Sequence, residues 1–219
     1  MILMLFLITF CWTAQAQPND FKIKILQGTQ LTLLDTFIAK QRLAVFKEYP
    51  YLYRGTFSEE YAYLGWFLKL PHTAVAVAYR QDEPVGFLTG TSFTDFDEHF
   101  EGTIDLFKKA GFDHTLYYYF GEVIILPEYR GLGLSKQLFA AMENYVRTKT
   151  SFSKACFVCE EHEQHPLKPK DYKELSVLWL RFGYKKTDLP VYFNWPTIQQ
   201  NGQTKEQEHV MNYWIKNLR

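Results

Sequence analysis

At 219 residues, 47% hydrophobic and 18% aromatic, the chain holds enough apolar side chain for one sizeable core and is too hydrophobic for a disordered segment. Its 24 basic and 24 acidic residues balance to a formal net charge of zero, and no dense basic patch interrupts it. That excludes a partner recognised through bulk charge, nucleic acid and an anionic membrane surface included.

The first sixteen residues, MILMLFLITFCWTAQA, are apolar from Ile2 to Trp12 and then give Ala14-Gln15-Ala16, the small-x-small form of a signal-peptidase site. The stretch is too short for a comfortable transmembrane helix. It carries no Lys or Arg before its apolar run, and bulky Phe10 before Cys11 disfavours a lipoprotein site. It reads as a cleaved signal, which would make the mature protein periplasmic or secreted with no integral membrane span. An apolar N-terminal extension on a cytoplasmic protein is the alternative. The folded domain is expected over residues 20–219 in either case.

FKIKIL, Phe21 to Leu26, alternates as a half-buried strand and is broken by Gly28 and Thr29. Leu34, Phe37, Ile38 and Val45 recur at helical spacing and predict a helix from Leu31 to Lys47. An aromatic stretch follows, and a second helix is expected from an N-cap at Ser58, with Glu59 and Glu60 in its first turn. The aromatic residues from Tyr49 to Trp66 read either as the wall of a groove or, more commonly for such a stripe, as core. TAVAVAY and PVGFLTGTSF are strands joined by the turn RQDEP, and a short helix from Glu98 to Ala110 ends at Gly111.

The long aromatic strand LYYYFGEVIIL stops at Pro127, which has no N–H to give to a sheet. A helix is expected from Gly133 to about Thr148, with Leu134, Leu138, Met142 and Tyr145 on its apolar face. KACFVCE is a strand, ELSVLWLRFGYKK a helix ending at Gly183, and PVYFNW and HVMNYWIKNL are closing strands. Helices and strands intermix around a hairpin, so an α/β (α+β) single domain with a mixed sheet is expected.

CFVCEEHEQH superficially spells a Cys-x2-Cys-x2-His metal pattern. Phe157 and Val158 make its start a strand, on which Cys156 and Cys159 point to opposite faces. Structural cysteines are the better reading, and the same divergence disfavours a bond between them. HPLKPKDY, with His165, Lys168 and Tyr172, is a proline-stiffened loop that reads as surface structure or as a contact to a bound molecule.

VIILPEYRGLGLSKQL carries the chemistry. Where a strand turns into a helix, the first backbone N–H groups lack partners and the helix dipole is positive, a natural site for an anion. Gly131 and Gly133 remove the Cβ atoms that would hold a phosphate away, and Arg130 adds a permanently charged fork of donors. Ser135-Lys136 is the wrong order for a P-loop, and Lys136 stands where a dinucleotide fingerprint needs glycine. A plain tight turn remains the other reading of Gly-x-Gly alone.

LPEYRGLGLSKQL resembles the acetyl-CoA pyrophosphate loop of GCN5-related N-acetyltransferases (GNAT), Arg/Gln-x-x-Gly-x-Gly/Ala, through Arg130, Gly133 and Ser135, with serine as the final small residue. LWLRFGYKK is similar to that family's later helix ending in Gly-Phe/Tyr, and the order of elements over residues 20–219 agrees. The resemblance implies a GNAT-like fold with a sheet of six to seven strands flanked by helices. It implies that the backbone of Val123, Ile124 and Ile125 bonds the pantetheine arm of acetyl-CoA. Arg130, Gly131, Leu132, Gly133, Leu134 and Ser135 then hold its pyrophosphate. The implied acceptor is a primary amine of a small molecule, a peptide N-terminus or a lysine.

Direct attack by an amine needs no covalent nucleophile but does need a base, and Glu122, in apolar YYYFGEVIIL, is the expected one. Burial there would raise its pKa into a useful range. An isolated Glu reads equally as a salt-bridged structural carboxylate, and the family position favours the base. Trp179 stands where many relatives have a tyrosine that protonates the leaving thiolate. Tyr172 and Tyr184 are the substitutes, or water suffices, since a free thiol has a pKa of ~8.5. An exported, inactive module of the same fold is the alternative, which Trp179 and the N-terminal signal favour.

Overall fold

The structure, a computed structural model, describes residues 20–95, 102–160 and 165–219. The apolar N-terminal stretch with Cys11, the start of the helix expected from Glu98, and His162 of the metal-like pattern lie outside the described residues.

β1 (Lys22–Gln27) leads into a 3-10 turn over Gly28–Leu33, and α1 (Asp35–Phe46) follows. The helix therefore begins later than its apolar spacing predicts, because Gly28 takes a left-handed φ of +55° and the chain first turns tightly. α2 (Phe57–Phe67) is capped by Thr56 rather than Ser58. The Thr56 hydroxyl accepts from the Glu59 N–H at 3.3 Å, and the Glu59 carboxylate accepts from the Thr56 N–H at 2.8 Å. This reciprocal box is present in the sequence as T-x-x-E, with the apolar Phe57 at the first helical position obscuring it.

β2 (Ala74–Arg80) and β3 (Glu83–Ser92) form the expected hairpin. α3 (Thr103–Lys109), β4 (Tyr117–Ile125), α4 (Leu134–Lys149), β5 (Lys154–Glu160) and α5 (Leu175–Arg181) complete the middle of the chain. β6 (Lys185–Ile198) and β7 (Thr204–Asn217) close it as a long hairpin. These two strands outrun PVYFNW and HVMNYWIKNL, because their added residues, such as Lys185, Lys186 and Lys205, are charged and exposed and carry no apolar alternation.

The seven strands form one mixed sheet in the order β1-β2-β3-β4-β5-β7-β6, antiparallel throughout except for the parallel β4–β5 pair. On one face Leu134, Leu138, Met142 and Val146 of α4 pack on Ala76, Ala78, Tyr118 and Phe120. On the other, Ile38, Ala39 and Leu64 of α1 and α2 cover Val75, Val77, Phe87 and Ile124. Each fully buried large apolar side chain contributes ~1.5–3 kcal/mol. Cys156 joins the aromatic cluster of Phe107 and Tyr213, whereas Cys159 joins the α4 side, so the two thiols face opposite ways as the strand period requires. Burial pushes the Cys156 thiol well above its ordinary value.

Two irregularities position the site. β4 and β5 pair over three rungs only, Tyr117↔Lys154, Tyr118↔Ala155 and Tyr119↔Cys156. Beyond them β4 stays with β3 as far as Ile125, and β5 stays with β7 as far as Glu160, so the two strands part. Within β4, the pairs Leu88↔Val123 and Gly90↔Phe120 leave Gly121 and Glu122 opposite Thr89 alone, a β-bulge. The extra residue shifts the alternation. Tyr118 and Phe120 face α4, whereas Ile124 faces the α1 side.

Candidate functional site

A cleft of about 1380 Å³ opens where β4 and β5 separate. Glu122, Val123, Ile124, Ile125, Arg130, Gly131 and Ser135 all line it. Leu132 of the loop and Leu134, the first residue of α4, turn their side chains into the core. Gly131 and Gly133 hold left-handed φ values of +80° and +78°. A Cβ built at either would meet nothing within 4 Å, so the loop has open space beside its backbone. Gly133 is the N-cap of α4, and among the described residues no side chain caps that helix. The first N–H groups of a sixteen-residue helix thus remain available to an anion.

Arg130 is less free than the sequence suggests. Its Nε donates to the Ile125 carbonyl at 3.2 Å, and its Nη1 pairs with Glu48 Oε2 at 3.0 Å. Both side chains of that pair are about half exposed, which makes it a weak, exchangeable contact.

Glu122 sits at the bulge. Its backbone N–H donates to Thr89 Oγ1 at 3.1 Å, which supplies the acceptor missing from the interrupted ladder. Its Oε2 pairs with Arg42 Nη1 at 3.0 Å, and the Arg42 Nε pairs in turn with Glu60. Arg42 is on α1 and Glu60 on α2, so the three side chains tie both helices to β4. All three are largely buried, with side-chain exposures of 14% for Arg42, 4% for Glu60 and 8% for Glu122. Burial would lower the Arg42 pKa, but Glu122, Tyr63 and Glu60 outweigh it and raise it overall. The guanidinium also lies over the rings of Tyr63, at 4.5 Å, and Phe46, at 4.9 Å. Glu122 Oε1, buried in the cleft wall, has no hydrogen-bond partner among the described residues. Glu122 is therefore both the carboxylate in the cleft and an ion-paired one, two readings the sequence held apart.

The aromatic stretch divides between its two readings. Tyr49, Tyr51, Tyr53 and Tyr63 line the cleft, whereas Trp66 packs in the cluster around Phe67. Tyr53 bonds Glu60, and burial with that carboxylate raises its pKa. The segment 52–54 is pinned to the end of β6: Tyr53 bridges Thr197, and the Arg54 N–H donates to the Pro196 carbonyl at 2.9 Å. Trp195 donates its indole N–H to the Tyr51 carbonyl at 3.0 Å. Its ring stacks on His209 at 3.6 Å, and His209 is held by Glu160 and by Thr197 at 2.7 Å.

The remaining expected groups separate clearly. Trp179 lines the cleft but is largely buried, and its indole N–H is donated to Cys159 Sγ at 3.3 Å. Tyr184 is buried against Glu143, to which its hydroxyl donates at 3.0 Å, and it is not in the cleft wall. Tyr172 does line the cleft, edge-on to Tyr49 at 4.6 Å. The proline-stiffened loop therefore reaches the cleft through Leu167, Pro169 and Tyr172, with Lys168 paired to Glu174.

Arg42, Glu60 and Thr89 escaped the sequence reading as site residues, and Tyr53 entered it only as one of the aromatic stretch. The available signals were weak: one arginine inside the apolar run of α1, and a T-x-x-E box that places Glu60 one residue past its Glu. Neither indicates a partner on β4.

A model of the acetyltransferase (GNAT) family matches residues 42–167. The fold is similar to that of the yncA protein of Salmonella typhimurium with its cofactor acetyl-CoA, at TM-score 0.56 and 13% identity over 92% of this chain and 95% of that one. An N-acetyltransferase from Staphylococcus aureus gives TM-score 0.53 and 13% identity over 90% and 99%. An acetyltransferase from Thermus thermophilus gives 0.51 and 13% over 90% and 96%. No curated protein sequence matches the chain.

Proposed function

The chain belongs to the acetyltransferase (GNAT) family, and from that premise we propose that it is an acetyl-CoA-dependent N-acyltransferase acting on a primary amine. One observation carries this reading: a buried carboxylate oxygen with no hydrogen-bond partner among the described residues, Glu122 Oε1, lies in the same cleft wall as a bare, left-handed glycine loop. The loop fits a pyrophosphate, because a Cβ at Gly131 or Gly133 would occupy the open space that an anion needs.

When bound, acetyl-CoA supplies an acetyl thioester activated toward an amine. The N–H groups at the start of α4 and the Arg130 guanidinium would hold its phosphates, with Arg130 giving up Glu48 to do so. The β4 edge from Val123 to Ile125, which β3 pairs on one side and β5 leaves on the other, would offer backbone groups to the pantetheine arm, the Ile125 carbonyl once Arg130 releases it. Glu122 Oε1 takes the proton of the ammonium, either directly or through one water. Arg42 fixes the other oxygen, so Oε1 keeps its aim. Trp179 and Tyr184 are committed to Cys159 and Glu143, which leaves Tyr172 or water to protonate the departing thiolate.

A family-fold module that binds CoA without turnover is the second reading. Trp179 in the usual tyrosine position favours it, and an export signal at residues 1–16 would accompany it. The test is calorimetry of purified protein with acetyl-CoA, followed by free-thiol release with a panel of amines. Binding with thiol release supports the transferase, and binding alone supports the module. No heat or thermal shift at millimolar acetyl-CoA overturns both.

A further inference from the structure

The Glu60–Arg42–Glu122 cluster holds two carboxylates and one guanidinium, a formal excess of one negative charge in a largely buried site. Such an excess is costly unless a cation completes it. The orphan atom that would receive that cation is Glu122 Oε1. Arg42 is the cation that acts on Tyr53 and Tyr63, whereas Lys47, Arg130 and Lys173 line other parts of the cleft. Arg42 itself is committed twice, through Nε to Glu60 and Nη1 to Glu122, and its face is covered by Phe46 and Tyr63. A carboxylate carried next to the acceptor's nitrogen would enter an already negative site whose guanidinium is taken.

Beyond the charges one stretch of the wall is apolar and aromatic. The Phe46 ring lies under Arg42 and meets Tyr51 at 4.9 Å, and Tyr51 meets Trp195 at 6.2 Å. Trp195 cannot swing away, since Tyr51's carbonyl holds its N–H and His209 backs its ring. Phe193 and Met211 continue the same wall. A flat apolar body extending from an ammonium matches this order of surfaces.

We propose that the acceptor is an aromatic or similarly apolar primary amine with no carboxylate beside its nitrogen, seated with its ammonium on Glu122 Oε1 and its body along Phe46, Tyr51 and Trp195. α-Amino acids are excluded as acceptors. This rests on the transferase reading for turnover but not for binding, because the charge cluster and the aromatic wall belong to the protein alone.

The experiment titrates 2-phenylethylamine and L-phenylalanine, which differ only by the carboxylate, into the full chain with and without CoA. The amine is expected to bind at least about tenfold more tightly, the factor expected from one charge-assisted contact. In Glu60→Gln, which neutralises the excess charge with little change of shape, amine affinity is expected to fall by a similar factor while CoA affinity holds. Equal or tighter binding of phenylalanine, no binding of the amine at millimolar concentration, or an unchanged amine affinity in Glu60→Gln each overturns the proposal. Amine binding without any CoA binding would leave this inference standing and remove the transferase reading. CoA binding with no preference between the two ligands would do the reverse.

Discussion

The hydroxyl of Thr89 on β3 accepts the backbone N–H of Glu122 on β4 at 3.1 Å, in the gap where the bulge breaks the ladder. Thr89 is wholly buried, and a Cβ on Gly121 would lie 2.5 Å from its Oγ1, so hydroxyl and glycine are fitted to each other. This contact sets which way Glu122 faces. Thr89→Val keeps the shape and removes the acceptor, leaving a buried N–H unpaired. We expect about 1–3 kcal/mol of lost stability in urea unfolding. Turnover should fall with it, while the acetyl-CoA dissociation constant stays within error. Unaltered turnover would show that the bulge does not aim the carboxylate.

Glu122→Gln retains the shape and removes the proposed base. Turnover at neutral pH should drop by about 10²–10⁴-fold with acetyl-CoA affinity intact, measured by thiol release and calorimetry. An unchanged rate would reassign the proton acceptor.

Arg42→Met should act chiefly on stability. It leaves Glu60 and Glu122 buried beside each other without a counter-charge, a loss of about 3–5 kcal/mol for a broken buried pair. Denaturant midpoints measure it, and adding Glu60→Gln and Glu122→Gln to the same chain should recover much of the loss.

Gly55→Ala tests the link from Tyr53 to Glu60. A Cβ at Gly55 would lie 2.0 Å from the Tyr53 hydroxyl, so the ring must move off the carboxylate. The acceptor KM should rise while acetyl-CoA binding is retained. Equal KM values would place Tyr53 outside acceptor recognition.

Gly133→Ala puts a side chain on a left-handed N-cap, at a strain of about 1–2 kcal/mol. Thermal unfolding should register that strain. Acetyl-CoA should bind more weakly than the stability loss alone explains, because the new methyl enters the open space beside the loop.

The Thr56–Glu59 box has a pH signature. The Thr56 hydroxyl and N–H hold the Glu59 carboxyl below the ordinary glutamate value. With a depressed folded-state pKa, its contribution to stability is present above the unfolded value and is lost as pH falls through the folded one. In Thr56→Val the Glu59 resonance should titrate at higher pH by NMR, and an unmoved titration would dissolve the box.

Local order was readable in the chain and spatial pairing was not. The hairpin at Gln81-Asp82, the stop at Pro127 and the glycines of the loop each act on their neighbours, and so appear as short patterns. The opposed faces of Cys156 and Cys159 follow from strand period alone. Arg42, Glu60 and Glu122 lie on three elements, and their meeting depends on how α1 and α2 cross the sheet, which no local period encodes. The bulge is hidden for the same reason, since a residue count in β4 means something only against β3. Trp179 looked like a weakened acid by analogy of position, whereas burial gives it a different occupation, a bond to a thiol in the core.

The three rungs between β4 and β5 have a mechanical consequence. They are all that couples strands β1–β4 to strands β5–β7 across the sheet, and they sit at one end. Lys216, which pairs with Ala155 at that same end, is clamped to Glu143 of α4 at 2.7 Å, so the joined end is braced. The two half-sheets are thus joined twice, through the sheet at the braced end and, at the parted end, through the strap of residues 51–54 on the tip of β6. Between those two ties the gap from the glycine loop to the Trp195 wall is held at a set width, so loosening the strap would widen it.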